Sequence, residues 1–223
     1  MILDMEQIVN LSDADVVKRA NAAVKIELEK KPEIIVFAGP NGSGKSTFTE
    51  LLKPAGMDYI NADEIKKNLK CDDMTAAKLA EQQRENYLLN VHSFCFETVM
   101  STDRNLNLLR RAKEKGYFIR CYYILTVDPM INVQRVKSRV HLGGHDVPVE
   151  KIISRYDKAL ELVKEVVKVS DICHIYDNSE NCPFRIFKKR KKEFFYNECQ
   201  DWLEEDIRLL TGIQSMQSKN LNI

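Results

Sequence analysis

Glycine is scarce in this chain: 8 in 223 residues is about half the usual ~7%. No apolar run of 18 residues occurs, so no segment reads as a membrane-spanning helix. The start, Met1-Ile2-Leu3-Asp4-Met5-Glu6, carries acid where a signal peptide needs a basic stretch. An excess of charge of one sign is also missing, since 34 Lys and Arg against 33 Asp and Glu leave +1. That balance argues against nonspecific coating of nucleic acid or of an anionic membrane, partners that select a strong basic excess. No CxxC pair exists among Cys71, Cys95, Cys121, Cys173, Cys182 and Cys199, which argues against a disulfide framework or a zinc site. The expectation is a cytoplasmic protein with reduced thiols.

With 44% apolar and 30% charged residues the composition is that of an ordinary globular chain, long enough for one elaborated domain or two small ones. Five of the eight glycines fall in two short loops: Gly39, Gly42 and Gly44, then Gly143 and Gly144. Clustering of so sparse a residue points to close backbone approach or positive φ at those loops. They are the first places to look for function.

Residues 1–30 carry apolar positions at mixed three- and four-residue spacing (Ile8, Leu11, Val16, Ala20), which reads as an N-terminal helical extension. From Pro32 onward, apolar strand candidates alternate with helical stretches. The strands are expected at 33–38, 58–60, 93–96, 117–126 and 171–176, and the helices near 45–53, 75–91, 103–115, 129–140 and 149–169. Gly116 suits a helix C-terminus, while Asp128-Pro129 suits an N-cap followed by proline in the first turn. Residues 184–196 fit an edge strand or hairpin, and 199–210 a closing helix with Trp202. Such alternation implies an α/β fold: a mainly parallel sheet of five or six strands between helical layers, forming one domain over 31–223. The basic run Lys188-Lys189-Arg190-Lys191-Lys192, beside Phe187, Phe194, Phe195 and Tyr196, fits a solvated hairpin face or a phosphate or nucleic-acid patch.

Gly39-Pro40-Asn41-Gly42-Ser43-Gly44-Lys45-Ser46-Thr47 satisfies GxxxxGKS/T between an expected buried strand and an expected helix. Backbone N–H groups and the helix N-terminus there form an anion nest that larger side chains at the glycines would block. Lys45 would bridge the β- and γ-phosphates of ATP, and the Ser46 hydroxyl would ligate Mg²⁺. Asp63 follows the second strand, where strand ends line the ligand crevice of an open sheet. It could take the proton of an attacking hydroxyl, or merely cap the helix beginning at Glu64. Glu97-Thr98 ends the third strand. Glu97 could hold the Mg²⁺ shell through water, hydrogen-bond an acceptor hydroxyl, or simply end the strand.

Arg135 and Arg139, four apart, share a helical face aimed at the second glycine loop, and Arg155 follows on the next helix. An arginine-loaded helix-loop-helix over about 135–150, hinged by Gly143-Gly144, is what a closing lid over a charged transition state requires. Tyr176-Asp177-Asn178-Ser179 ends the last strand of the parallel series, where Asn178 fits either contact with the nucleotide or a turn.

Taken together, FAGPNGSGKST, INADEI, FCFETVMS, RVKSRVHLGGHDVP with its following RY, and IYDNS resemble the zeta-toxin-like P-loop kinases. The likeness runs in order over about residues 33–180. It implies a kinase-like P-loop fold and ATP-dependent phosphorylation of a nucleotide sugar, UDP-N-acetylglucosamine being the best-known acceptor. Under the resemblance Lys45 matches the P-loop lysine, Asp63 the general base, and Glu97 with Thr98 the pair near the acceptor. The lid arginine falls on Arg135 or Arg139. His145 stands where the best-known toxins carry a second lid arginine, and a histidine there is cationic only part of the time near neutral pH. An antitoxin partner is implied by the family alone. The competing classes are a mechanical ATPase, against which the chain lacks an LSGGQ-type stretch, and a nucleic-acid-directed kinase resting on the 188–192 run.

Overall fold

The computed structural model describes residues 18, 31–144 and 146–218, so the expected extension over 1–30, apart from residue 18, and the lid residue His145 lie outside it. Strand β1 (Glu33–Ala38) is buried on both faces from Ile34 onward, as its β-branched run requires. It lies between β3 (Phe94–Thr98) and β4 (Phe118–Leu125), parallel to both. Outside these run β2 (Asp58–Ile60), parallel to β3, and β5 (Ile172–Asp177), parallel to β4. The chain then turns back through β6 (Phe184–Arg190), β7 (Glu193–Tyr196) and the two-residue β8 (Gln217–Ser218). The full order is β2-β3-β1-β4-β5-β6-β7-β8.

The five parallel strands are thus extended to eight, because residues 184–196 form a true antiparallel hairpin and β8 adds to its edge. Part of the basic run is not solvated. Lys189 is buried, and its ammonium donates to the carbonyls of Val167 and Lys168 at 2.7 and 3.1 Å. It thereby satisfies the C-terminal carbonyls of a helix, a role suited to a cation.

Seven helices connect the strands among the described residues: α1 (Lys45–Leu52), α2 (Ala62–Leu69), α3 (Asp73–Leu89), α4 (Asp103–Glu114), α5 (Pro129–His141), α6 (Val149–Val169) and α7 (Glu204–Thr211). Successive side chains of β1 serve opposite faces. Ile34, Val36 and Ala38 join the large core with Leu106, Leu109, Val163 and Ile207 from α4, α6 and α7. Ile35 and Phe37 join a smaller one with Phe48 of α1. A third cluster, Val133, Val136 and Ile152, fastens α5 to the start of α6.

Local signals act as expected at several boundaries. Asp128 accepts from Met130 N with Pro129 in the first turn, and Gly116, at φ 86°, follows α4. Three expectations shift. The third strand runs on through Thr98, so Glu97 and Thr98 lie within it. The helix expected near 75–91 begins at Asp73, because Asp72 accepts from Met74 N and Thr75 N as its cap. The closing helix starts only at Glu204, since Cys199 and Trp202 pair as a β-bridge and the Asp206 carboxylate takes the Leu203 N–H. All six cysteines are free thiols. No described helix is long and apolar enough to cross a membrane.

Candidate functional site

The loop from β1 into α1 is shaped by positive φ at Gly39, Gly42 and Gly44. Each also sits against something a methyl group would strike. A Cβ on Gly39 would lie 2.0 Å from the Ile124 carbonyl oxygen, one on Gly42 2.5 Å from that of Asn132, and one on Gly44 2.4 Å from Asn178 Nδ2. The loop is held from three sides. Gly39 N donates to Thr98 O at 3.2 Å, Asn178 Nδ2 donates to Ser43 O at 2.8 Å, and the buried Asn132 carries the backbone against Gly42. The loop leads directly into the N-terminus of α1, the combination that suits an anion.

Lys45 follows the last of these glycines. Its ammonium donates to Pro40 O at 2.7 Å. Burial pulls it from the usual 10.5 down to about 8; Glu97 and Asp63 oppose that shift while Arg139 adds to it. A lysine so desolvated stands to gain from an anion. Asn41 Oδ1 and Ser43 Oγ are buried here without a hydrogen-bond partner.

Ser46, one residue on, donates to Glu97 Oε2 at 3.1 Å across 51 residues of chain. The other carboxylate oxygen of Glu97 accepts from Tyr59 OH at 2.7 Å. Thr98 beside it is buried, its hydroxyl accepting from Met100 N at 3.0 Å and Asn105 Nδ2 at 2.8 Å, so it braces the turn after β3.

Asn61, not Asp63, caps α2: its Oδ1 accepts from Asp63 N at 2.7 Å and Glu64 N at 3.4 Å. The cap role is thus taken by Asn61, and the Asp63 carboxylate is left exposed in the first turn. It borders a cavity of about 330 Å³ whose opposite wall is formed by Asp146, Lys151 and Arg155.

The two arginines expected in a lid differ in what they bond. Arg135 donates to Asn178 O at 2.7 Å and Ser179 O at 3.0 Å, tying α5 to the end of β5. Both arginines border a cavity of about 250 Å³ with Gly44, Lys45 and Ser46, and the charge of Arg139 also reaches Lys45. The glycines expected as hinges lie at the end of α5. Gly143 has φ 86°, Gly144 N donates to Arg139 O at 2.9 Å, and a Cβ on Gly144 would meet Arg139 Cγ at 2.6 Å. Beyond the P-loop, Phe48, Leu51, Arg135, Tyr176, Asn178 and Pro183 border a third cavity of about 530 Å³.

A family model described as Zeta toxin matches residues 18–192. The chain belongs to the zeta toxin family. A protein of Haemophilus influenzae described only as uncharacterized is 28% identical over 127 residues, covering 55% of this chain and 91% of its own. Among solved structures, a chain of the AvrRxo1-ORF1:AvrRxo1-ORF2 complex with sulphate ions superposes with a TM-score of 0.64 at 16% identity, covering 83% of this chain and 65% of that one. The same complex was also determined with ATP, at a TM-score of 0.63 and 16% identity over 88% and 68% of the two chains. The PezAT chromosomal toxin-antitoxin system of Streptococcus pneumoniae gives 0.50 at 16% identity, over 78% and 82%. This zeta toxin family member is therefore a P-loop protein of kinase-like fold.

In this family member the structure brings Lys45, Ser46, Glu97, Asp63 and Arg139 to one end of the sheet, while Asn178 and Arg135 hold the loops around it. Arg155 stands on the far wall of the Asp63 cavity. Lys151, Asp146, Tyr59 and Asn61 were not singled out from the sequence. The four-residue spacing of Lys151 and Arg155 was a signal available for the first of them.

Proposed function

We propose that the protein is an ATP-dependent phosphotransferase that moves the γ-phosphoryl group of ATP onto a hydroxyl of a small acceptor, a UDP-sugar such as UDP-N-acetylglucosamine being the leading one. The observation that carries the reading is the convergence of a P-loop lysine and an exposed strand-end carboxylate: the charge of Asp63 is felt at Lys45, and Asp63 opens onto its own cavity. The residues present fit a nucleotide. Three left-handed glycines, a helix N-terminus and a desolvated ammonium suit the phosphates, and the 530 Å³ cavity beside Leu51, Tyr176 and Pro183 suits the base. Gly39 to Thr47 would wrap the phosphates, with Lys45 bridging β and γ.

Ser46 Oγ and Glu97 Oε2 are hard oxygens 3.1 Å apart, a donor pair that fits Mg²⁺, with Glu97 acting directly or through water. Such an ion supplies positive charge to the β- and γ-phosphate oxygens. The chain's own residues do the rest. Asp63 accepts the proton of the acceptor hydroxyl as the new O–P bond forms, the bond to the β-phosphate oxygen breaks, and ADP leaves. Arg139, whose charge reaches Lys45, balances charge on the transferring group, and Arg135, bonded to the carbonyls of residues 178 and 179, borders the same cavity. Lys151 and Arg155 share the acceptor cavity with the base. A protein inhibitor is part of the reading, because PezAT is a toxin-antitoxin system and AvrRxo1-ORF1 is found with AvrRxo1-ORF2. The proposed compartment is the cytoplasm.

Incubation with ATP and a panel of UDP-sugars, read by mass spectrometry, should yield an acceptor heavier by one phosphoryl group. Asp63→Asn should lower that transfer by about 10²–10⁴-fold while leaving ATP affinity within about twofold. Unchanged turnover in the variant overturns the base assignment, and vigorous ATP hydrolysis indifferent to every acceptor replaces the kinase with an ATPase.

A further inference from the structure

A carboxylate that serves a cation must present the right oxygen, and a side chain as flexible as Glu needs help to do so. Glu97 receives that help from two donors, one on each oxygen: Ser46 Oγ at 3.1 Å and Tyr59 OH at 2.7 Å. Tyr59 is the middle residue of β2, 38 residues away in sequence, and its phenol has a single proton to give. Asn61 Nδ2 donates to the phenol oxygen at 2.5 Å, which leaves the Tyr59 proton only Glu97 to point at. The direction of every bond in this row is fixed by chemistry, because an ionised carboxylate only accepts and an amide NH₂ only donates. The ring is fixed as well, with Lys53 Nζ 4.9 Å from its centroid.

The same asparagine faces the other way through Oδ1, which caps the helix whose second residue is Asp63. One hydrogen-bonded row thus runs from Ser46 through Glu97, Tyr59 and Asn61 to the backbone of Asp63. We propose that Tyr59 is a positioning residue: its hydroxyl orients the Glu97 carboxylate toward a divalent cation, and Asn61 couples that orientation to the helix bearing the base. The inference rests on the phosphotransferase reading and adds to it a residue that touches neither phosphate nor acceptor. Partners of this kind, one bond removed from the ion, typically govern about 10–100-fold in metal affinity.

The test is a titration of Mn²⁺ into the protein with ADP, the free ion being followed by electron paramagnetic resonance. Tyr59→Phe keeps the ring over which Lys53 sits and removes only the hydroxyl. It should weaken Mn²⁺ binding in the ADP complex about tenfold while metal-free ADP affinity stays within about twofold. Asn61→Asp, which still caps α2, should show a smaller loss of the same kind. Adding Tyr59→Phe to Glu97→Gln should cost nothing further, since both act through one carboxylate. Parental Mn²⁺ affinity in Tyr59→Phe overturns the proposal, as does an equal loss of metal-free ADP binding, which would mark a merely structural residue. A parent protein that binds ADP but no Mn²⁺ overturns the metal reading and the Tyr59 role together, an outcome distinct from failure of Tyr59 alone.

Discussion

The phosphate end and the acceptor end of the site are built in opposite ways. Around the P-loop the determinants are backbone: left-handed glycines, carbonyl oxygens within 2.0–2.5 Å of where a Cβ would stand at Gly39 and Gly42, and an amide from Asn178 holding Ser43 O. Around the cavity proposed for the acceptor they are side chains, exposed Asp63 on one side and exposed Asp146 and Lys151 with half-buried Arg155 on the other. Backbone architecture tolerates almost no substitution, whereas a wall of exposed side chains can be rewritten residue by residue. Under the proposed reading the chemistry is anchored at one end and the choice of acceptor is left to the other.

Three measurements would break or sharpen that contrast. The largest effect belongs to Gly39→Ala, where the methyl group meets the Ile124 carbonyl and the backbone has φ 143°. Strain of this kind costs roughly 1–3 kcal/mol or more, visible as a lower Tm, and ATP binding measured by calorimetry should be lost. A variant that binds ATP normally would mean the loop is not the rigid half.

The second is a pH profile. The Lys45 ammonium predominates below about 8 and is lost above it. Phosphates select the charged form, so ATP affinity should be full below about 8 and fall by up to about tenfold per unit above it. The falling limb should vanish in Lys45→Met; a limb that survives there belongs to another group. The smallest effect is expected from Lys151→Ala, which should raise the KM for the acceptor by several-fold, up to about tenfold, with the KM for ATP unchanged. An ATP effect as large as the acceptor effect would erase the distinction between the two ends.

Legibility in the sequence follows the same division. The P-loop is contiguous, and its flanking strand and helix follow from β-branched residues and the break at Pro32, so Gly39 to Thr47 can be read from one stretch of chain. Asp63 is legible as a position, but whether it caps or stands exposed is decided by Asn61, two residues earlier, whose side chain only the fold orients. Arg135 and Arg139 look alike at four-residue spacing. Their difference depends on the carbonyls of residues 178 and 179, brought in from β5. The Tyr59–Glu97 bond joins neighbouring strands, and no local pattern announces it. The hairpin of β6 and β7 was visible as an alternative, while its pairing with β5, shifted between Ile175 and Tyr176, is a tertiary result.

The helix behind the acceptor cavity has a mechanical consequence. Lys189 holds the carbonyls of Val167 and Lys168, Tyr123 OH donates to Ala159 O at 2.6 Å, and Tyr156 OH donates to Thr126 O at 2.5 Å. α6 is thus riveted to the sheet at three levels, the first of them one residue past Arg155. Lys151 and Arg155 form the fixed jaw of a vice. Under the proposed reading, an acceptor entering the cavity would meet a wall already in place.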